Sequence, residues 1–520
     1  VMALLTTVAT AQTTTNNYER TLLAIQNQIQ SGNLSEAQSL ITEAEKAYPA
    51  NGGIENLKGV IAIQQGKKDE AEKDFSAAIR HSPGLTSAYL NLSRLYMQTG
   101  PHDPASEAKA LRIYEKVLSM SPADPEANYY VAILLMRTGN YTRSLEHVKK
   151  LSAEDKQALN MLVVACGDEA ALGHTAEASR DATALVAQPD MTEADVLELV
   201  PAFRSGHNAD LLESLLKAVA SRKPLSVTGL HMLGLAQAAQ GKLPEAQAAL
   251  ERAFAADDSS AVTLSDLARI AGDRNDLKGA LGYLAHARDL APKDATYAYR
   301  FGVICLKMSL LDESRKALNE AVHLEPENAS YNYAMGIVTG FDRGPADALP
   351  YLTKYHALRP EDAAGVLALG EAYFRANDFE TASKWLKNAT NSNETAATAH
   401  YYLGRIARHN GEIDEAKTQL TQSLTLEPNR PETLAELGLL YLQIKDYPNA
   451  EKHLSQALTL NPDNSAANFG LLQLYARTGD PRREEQQKRF NALKDKQQEL
   501  SVELMRTIEI RPQDATQSPH

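Results

Sequence analysis

The chain has 520 residues, a formal net charge of −13 and only two cysteines. That acidity, with no basic run or stripe to offset it locally, argues against nucleic acid as the main partner. No apolar run of about 18 residues is present to cross a membrane as a helix. The length would ordinarily hold several globular domains, but a repeat running through nearly all of it overrides that expectation.

In chain order, Val1–Ala11 carries no charge, is moderately apolar and ends Ala9-Thr10-Ala11 before Gln12. Residues 1–14 therefore read either as the back half of a secretory signal with a small-x-small cleavage site or as a disordered tail. The first reading implies a periplasmic or secreted protein, the second a cytoplasmic one. Residues 15–480 form the repeat array. An early unit is marked by Gly32, Ala37, Ala44 and Pro49, and the next by Gly59, Ala71, Phe75, Ala78 and Pro83. A third, with Tyr96, Ala110, Tyr114 and Pro122, is longer by five residues, an excess assigned to the Gly/Pro turn Thr99–Pro104. Residues 151–225 are degenerate, although Gly173, Ala178 and Gly206 keep the phase.

From 234 to 438 the pattern is clean. A small residue returns every 34 positions: Gly234, Ala268, Gly302, Gly336, Gly370, Gly404, Gly438. Twelve positions after each comes another small residue, as at Ala246, Ser314 and Ala416, and four further on a leucine, as at Leu250, Leu318 and Leu420. Residues 481–510 then become charged, with Glu484–Lys488 and Glu485–Arg489 at i, i+4, and are expected to form a polar capping helix. Residues 511–520 read as a disordered tail.

Each unit carries two apolar stretches at helical spacing around a turn residue, so the expected fold is all-α, built of helix-turn-helix pairs. Gly32, Gly66, Gly139, Gly173, Gly241, Gly411 and Gly479, with Asn275 and Asn377, stand at the turns. These residues accept the left-handed conformation that closes a helix. Small marks let helices approach, prolines such as Pro292 and Pro326 stop the second helix, and Asp294 or Asn328 can cap the next. One pair cannot bury its apolar face alone, so the pairs must stack.

This pattern resembles the tetratricopeptide repeat, with its small and aromatic marks on the first helix and its Ala, aromatic or Leu, Ala and Pro on the second. The resemblance implies an α-solenoid, a right-handed superhelix of about fourteen repeats with a concave groove lined by the first helices. Transferred to this chain, the groove positions give Arg269, Tyr299, Arg300, Tyr333, Arg375, Tyr401, Tyr402, Arg405, Arg408 and His409 as a peptide-binding set. Asn91, Arg94, Tyr129, Tyr130 and Arg137 occupy similar places nearer the N-terminus. Tyr and Arg dominate binding hot spots through amphipathic contact and forked hydrogen bonding, and an Arg/Tyr lining suits an extended segment bearing carboxylates. The Lys/Asn/Asn/Lys/Arg clamp with which some family members hold a C-terminal carboxylate is absent: Ser265, Arg300, Arg269, Tyr401 and Arg405 stand at its places.

The sequence offers no support for catalysis. Gly59 with Gly66-Lys67 and Gly234 with Gly241-Lys242 imitate a phosphate loop, but the spacing is wrong and no hydroxyl follows the lysine. The 13 histidines form no HxxxH pair, no CxxC accompanies them, and no GxSxG elbow occurs. Cys166 and Cys305 fall on first helices four repeats apart, too far for a disulfide, and read as small buried hydrophobes. The expectation is a protein without cofactor or metal, not an enzyme, that binds protein or peptide partners as a scaffold, within a multi-protein assembly. The alternative is a component of cell-envelope assembly or polysaccharide export, and a third reading is the regulatory arm of an enzyme complex.

Overall fold

The computed structural model describes residues 17–99 and 103–494. Among them the helices pair into fourteen consecutive hairpins, from helices at 17–30 and Leu34–Ala47 to Ser465–Thr478 and 483–494. The fold is thus an all-α solenoid. The hairpins divide at Ala253/Phe254 into two compact units, a division that the unbroken 34-residue register conceals. None of the described helices is long and apolar enough to cross a membrane.

The packing marks follow from one repeated contact. In the second unit, a Cβ placed on Gly302 would lie 2.6 Å from Leu318 Cγ, and one on Gly404 would lie 2.7 Å from Leu420 Cγ. Gly336, Gly370 and Gly438 meet Leu352, Leu386 and Leu454 in the same way. The leucine sixteen residues on fills the notch that the missing side chain leaves, and Leu318 and Leu420 are fully buried. Where the second small mark is serine, its hydroxyl donates to the carbonyl opposite: Ser314 to Gly302 O at 2.7 Å and Ser144 to Ala132 O at 2.8 Å. Gly404→Val should therefore destabilise the second unit by about 2 kcal/mol through overpacking. Gly282→Ala should do the reverse and add about 0.5–1 kcal/mol, since its helical site has open space around it. Thermal melts of the two variants test this, and like signs would contradict the notch.

The turns obey the expected geometry. Gly32, Gly66, Gly139, Gly173, Gly241, Asn275, Asn377, Gly411 and Gly479 all have positive φ, between 61° and 81°. The same rung is held by His207, Ser309 and Lys445, with φ of 57°, 60° and 65°. In the degenerate segment the rung is thus His207. Gly206, at φ −90°, only precedes it.

Three helix starts share a brace that the sequence reading did not anticipate. Asn128, Asn332 and Asn468 each donate both to the carbonyl of the proline six residues back and to the helix-capping residue four back. The hydrogen-bond potential freed where one hairpin ends is thereby used to fix the start of the next.

Two expectations need adjustment. The extra length of the third hairpin is not all turn: its second helix, Pro104–Met120, has 17 residues against 14 in Lys68–His81. The added turn of helix precedes the first packing mark, Ala110, whereas Ala71 is the fourth residue of its helix. Residues 100–102 lie outside the described residues. The C-terminal helix is seen over 483–494, where it packs rather than merely solvates. Gln486 is buried and donates to Asn468 O and Oδ1, both at 3.0 Å, Leu493 is buried, and Phe490 meets Phe469 at 5.6 Å. The rest of the expected capping helix, the 511–520 tail and the 1–14 segment lie outside the described residues.

Cys166 and Cys305 are free and buried, and burial pushes each thiol up to about 12. Both are therefore protonated and unreactive at neutral pH.

Candidate peptide-binding groove

The first helices of the second unit carry most of the residues singled out from the sequence. Between Ala261–Asp273 and Ala295–Lys307 lies a cavity of about 360 Å³ lined by Arg269, Tyr299, Arg300 and Lys307, with Ser265 and Asp273. The side chains converge because consecutive first helices lie side by side, so equivalent surface positions of neighbouring repeats face one crevice. Arg269 is 46% exposed and its charge is partly balanced by Asp266 at 3.7 Å and Asp273 at 3.6 Å. Arg300 donates to the Ser265 hydroxyl, a neutral partner that leaves its charge available to a ligand. Lys307 was missed in the sequence. It lies seven residues after Arg300, two helical turns along the same face, and that spacing was the signal that could have found it.

Tyr299 packs as well as lining the cavity, and Tyr333 packs without lining it. Tyr299 meets the buried Tyr331 with ring centroids 4.8 Å apart, and Tyr333 meets the buried Tyr355 at 4.9 Å. Two hairpins further on, a smaller cavity of about 140 Å³ lies between Ala329–Asp342 and Ala363–Arg375, lined in part by Phe341, Glu371 and Arg375. Phe341 is 57% exposed, and the Arg375 guanidinium sits over its ring at 4.8 Å. Burial raises the pKa of Glu371, against the opposing pull of Arg375 and Arg430. Phe341 and Glu371 were also missed, and each is a groove position by the same repeat count.

The third cluster centres on Arg405. Its guanidinium lies 4.7 Å from the Phe374 ring, 5.5 Å from Tyr401 and 5.9 Å from Tyr402, with the Glu436 carboxylate at 3.8 Å. Arg430 also stands over the Tyr401 ring, at 5.5 Å. Burial pushes the Tyr401 phenol up to about 12 and raises Tyr402 as well, so both are neutral hydrogen-bonding rings at neutral pH. Arg408 pairs with the buried Glu436, and His409 packs on Phe379 at 4.7 Å. These two hold neighbouring elements together and do not join either cavity.

In the first unit the corresponding cations are spent internally. Arg94 grips Glu126 through two hydrogen bonds, and Arg137 bridges Glu107 at 2.6 Å and Glu198 at 2.7 Å. Asn91 donates to Asn56 Oδ1 at 3.0 Å, while Tyr130 stacks on Tyr114 and meets Tyr129 edge-on. Among the described residues no group of three or more His, Cys, Asp or Glu side chains could hold a metal ion.

Stacked helical hairpins with small-residue notches, left-handed turns and a lined crevice between successive first helices define a helical-repeat protein of the α-solenoid class. Tetratricopeptide-repeat family models match residues 22–86, 106–164, 227–252, 265–333 and 431–464. The model for anaphase-promoting complex, cyclosome, subunit 3 matches 346–423. The chain belongs to the tetratricopeptide-repeat family. It is 35% identical to BBSome complex member BBS4 of Bos taurus over 99 residues, 19% of this chain and 19% of that protein. It is 21% identical to BBSome complex member bbs-4 of Caenorhabditis elegans over 71% of this chain and 74% of that protein. Among solved structures, the APC/C heterotetramer Cut9–Hcn1 is 16% identical, with 88% of this chain and 90% of that one covered and a TM-score of 0.39.

Proposed function

We propose that this protein is a non-catalytic scaffold that binds extended, acidic protein segments along the first helices of its second unit. The observation that carries the reading is the convergence of Arg269, Arg300 and Lys307 with Tyr299 on one cavity. Three cations set against two carboxylates and a hydroxyl leave a net positive crevice on a chain that is acidic as a whole. A carboxylate gains charge-assisted hydrogen bonds there, and Tyr299 offers a rigid apolar face beside it. Phe341 with Arg375, and the Tyr401–Tyr402–Arg405 cluster, extend the same kind of surface over the following repeats. Rigid helices hold these groups in place before a partner arrives, which lowers the ordering cost of binding. The names of the similar proteins, members of the BBSome and the anaphase-promoting complex, support a place in a multi-protein assembly.

Fluorescently labelled acidic peptides should bind the full chain in a salt-dependent manner, and neutral peptides of the same length should not. Arg300→Ala with Lys307→Ala should weaken binding by about tenfold or more, with the helical circular dichroism unchanged. Equal binding of acidic and neutral peptides, or full affinity in that double variant, would remove the groove from consideration.

A further inference from the structure

One groove position changes sign within the second unit. Glu371, on Ala363–Arg375, stands where Arg269 stands three repeats earlier and Arg405 one repeat later, in the same 34-residue register. It lines the cavity of about 140 Å³ between Ala329–Asp342 and Ala363–Arg375, whose wall is otherwise mostly apolar, with Ile337, Ala348, Leu352 and Ala368.

Other carboxylates of these first helices are paired. Glu436 holds Arg408, with Arg405 at 3.8 Å, and Asp266 and Asp273 lie 3.7 Å and 3.6 Å from Arg269. Among the described residues no hydrogen bond and no ion pair reaches Glu371. Arg375, one turn further along its helix, keeps its guanidinium over the Phe341 ring at 4.8 Å. Burial raises the Glu371 pKa against the more distant pull of Arg375 and Arg430. Its charge acts on Tyr333 of the preceding first helix and on Tyr402 of the following one. The carboxylate therefore belongs to the face that three successive first helices share.

A half-buried carboxylate against apolar walls, with no partner, is costly. An ammonium brought by a ligand offsets that cost through a charge-assisted hydrogen bond, and the cavity has room for about one side chain. Lysine meets both demands. It carries a compact ammonium on an apolar stem, which can lie along Ile337 and Leu352.

We propose that the Glu371 pocket receives a lysine side chain of the bound segment, so that the partner is an acidic segment interrupted by a lysine. This specificity rests on the groove binding proposed above. The pocket lies two hairpins beyond the cavity at Arg269 and Arg300. That is about 20 Å at about 10 Å per packed helix, or about six residues of extended chain.

A labelled peptide with glutamate pairs about six residues to either side of a central lysine fits the spacing in both chain directions. By fluorescence anisotropy with the full chain, it should bind about tenfold more tightly than the same peptide with acetyl-lysine. Acetylation makes the peptide more acidic, so general attraction to the groove predicts the opposite order. Glu371→Gln should remove the preference for lysine while both peptides still bind, with circular dichroism unchanged. Glu371→Lys should prefer a peptide with glutamate at the centre. Equal affinity of the native chain for lysine and acetyl-lysine, or a preference that survives Glu371→Gln, would overturn the lysine pocket and leave the acidic groove standing. Failure of the native chain to bind any of these peptides would overturn both.

Discussion

At pH 9, Asp168→Asn should be more stable than the native chain by about 2–4 kcal/mol, and the gain should shrink as the pH falls toward 4. Asp168 sits wholly buried on the first helix Leu159–Ala171 of a hairpin in the first unit. Burial lifts its carboxyl to about 8, with a small further push from Glu169 and an opposing pull from the Ser144 hydroxyl. That hydroxyl donates to Ala132 O, and both Asp168 carboxyl oxygens are buried without a hydrogen-bond partner, so an ionised carboxylate there is left uncompensated. Because the pKa is raised on folding, the folded chain keeps a proton that the unfolded chain releases above its ordinary value near 4. Stability from this group is fully present below that value and is lost as the pH rises through about 8. Asparagine keeps the shape and brings no charge into the buried site at any pH. A shift of this size caps the loss near about 5 kcal/mol, and opening of one hairpin without its neighbours limits how much is realised. Urea unfolding of both proteins at pH 5 and pH 9, followed by circular dichroism, decides the point. A variant less stable than native at pH 9, or a gap that is the same at both pH values, would show that Asp168 is ionised and satisfied in the fold.

Nearly all of the fold could be read from residue spacing, for a physical reason. Each repeat solves the same steric problem, so Gly302 over Leu318 and Gly404 over Leu420 print the contact into the sequence at a fixed interval. The turns were legible where glycine or asparagine held the rung and illegible where His207, Ser309 and Lys445 did. Those three residues reach positive φ because the flanking helices impose it, and local preference alone would not place them there. Asn128, Asn332 and Asn468 were overlooked because asparagine is unremarkable one turn into a helix. Its role depends on a proline carbonyl that comes near only once the hairpins stack. The division at Ala253/Phe254 left no trace, since the repeat register runs through it unchanged.

The binding surface was less legible. Counting repeat positions brought Arg269, Tyr299 and Arg300 to the same cavity, but it could not distinguish a guanidinium facing solvent from one already paired. Arg408 is taken by Glu436, and Arg94 and Arg137 by carboxylates of their own unit. Those partners lie 28 to 61 residues away in sequence, beyond any helical spacing rule. The irregular hairpin over 193–220 was hidden for the opposite reason. Weak repeat marks over 151–225 read as loss of pattern, and the structure shows there a hairpin that keeps its phase while giving up the regularity of its first helix.

Loss of the Glu213 carboxylate should do the most damage of any single change in this part of the array. Glu213 is 4% exposed on the helix Ala209–Ala220. It accepts from Lys217 at 2.7 Å on its own helix, and from Gln237 at 3.2 Å, Gln240 at 2.9 Å and Lys242 at 2.6 Å on the next hairpin. One carboxylate thus ties two hairpins together, beside the bonds from Gln240 to Ala209 O and from Ser226 to Glu193. Burial works to raise its pKa, but the four donors outweigh burial and hold it at about 2. Here the folded value is depressed, so the contribution is fully present above the unfolded value near 4.5 and is lost as the pH falls through 2. Removing the acceptor strands the Gln237 amide, which is itself buried, and leaves two ammonium groups without a counter-charge. Glu213→Ala should cost about 3 kcal/mol at pH 7, and the gap to the native chain should narrow when both are unfolded at pH 3. Glu213→Gln, which keeps an acceptor oxygen but no charge, should fall between the two. Because repeats are coupled to their nearest neighbours, the loss should appear as faster amide exchange in 209–242 and much less in the hairpins of the second unit. Uniformly faster exchange across both units, or a penalty independent of pH, would show that the network acts through packing and not through its charge.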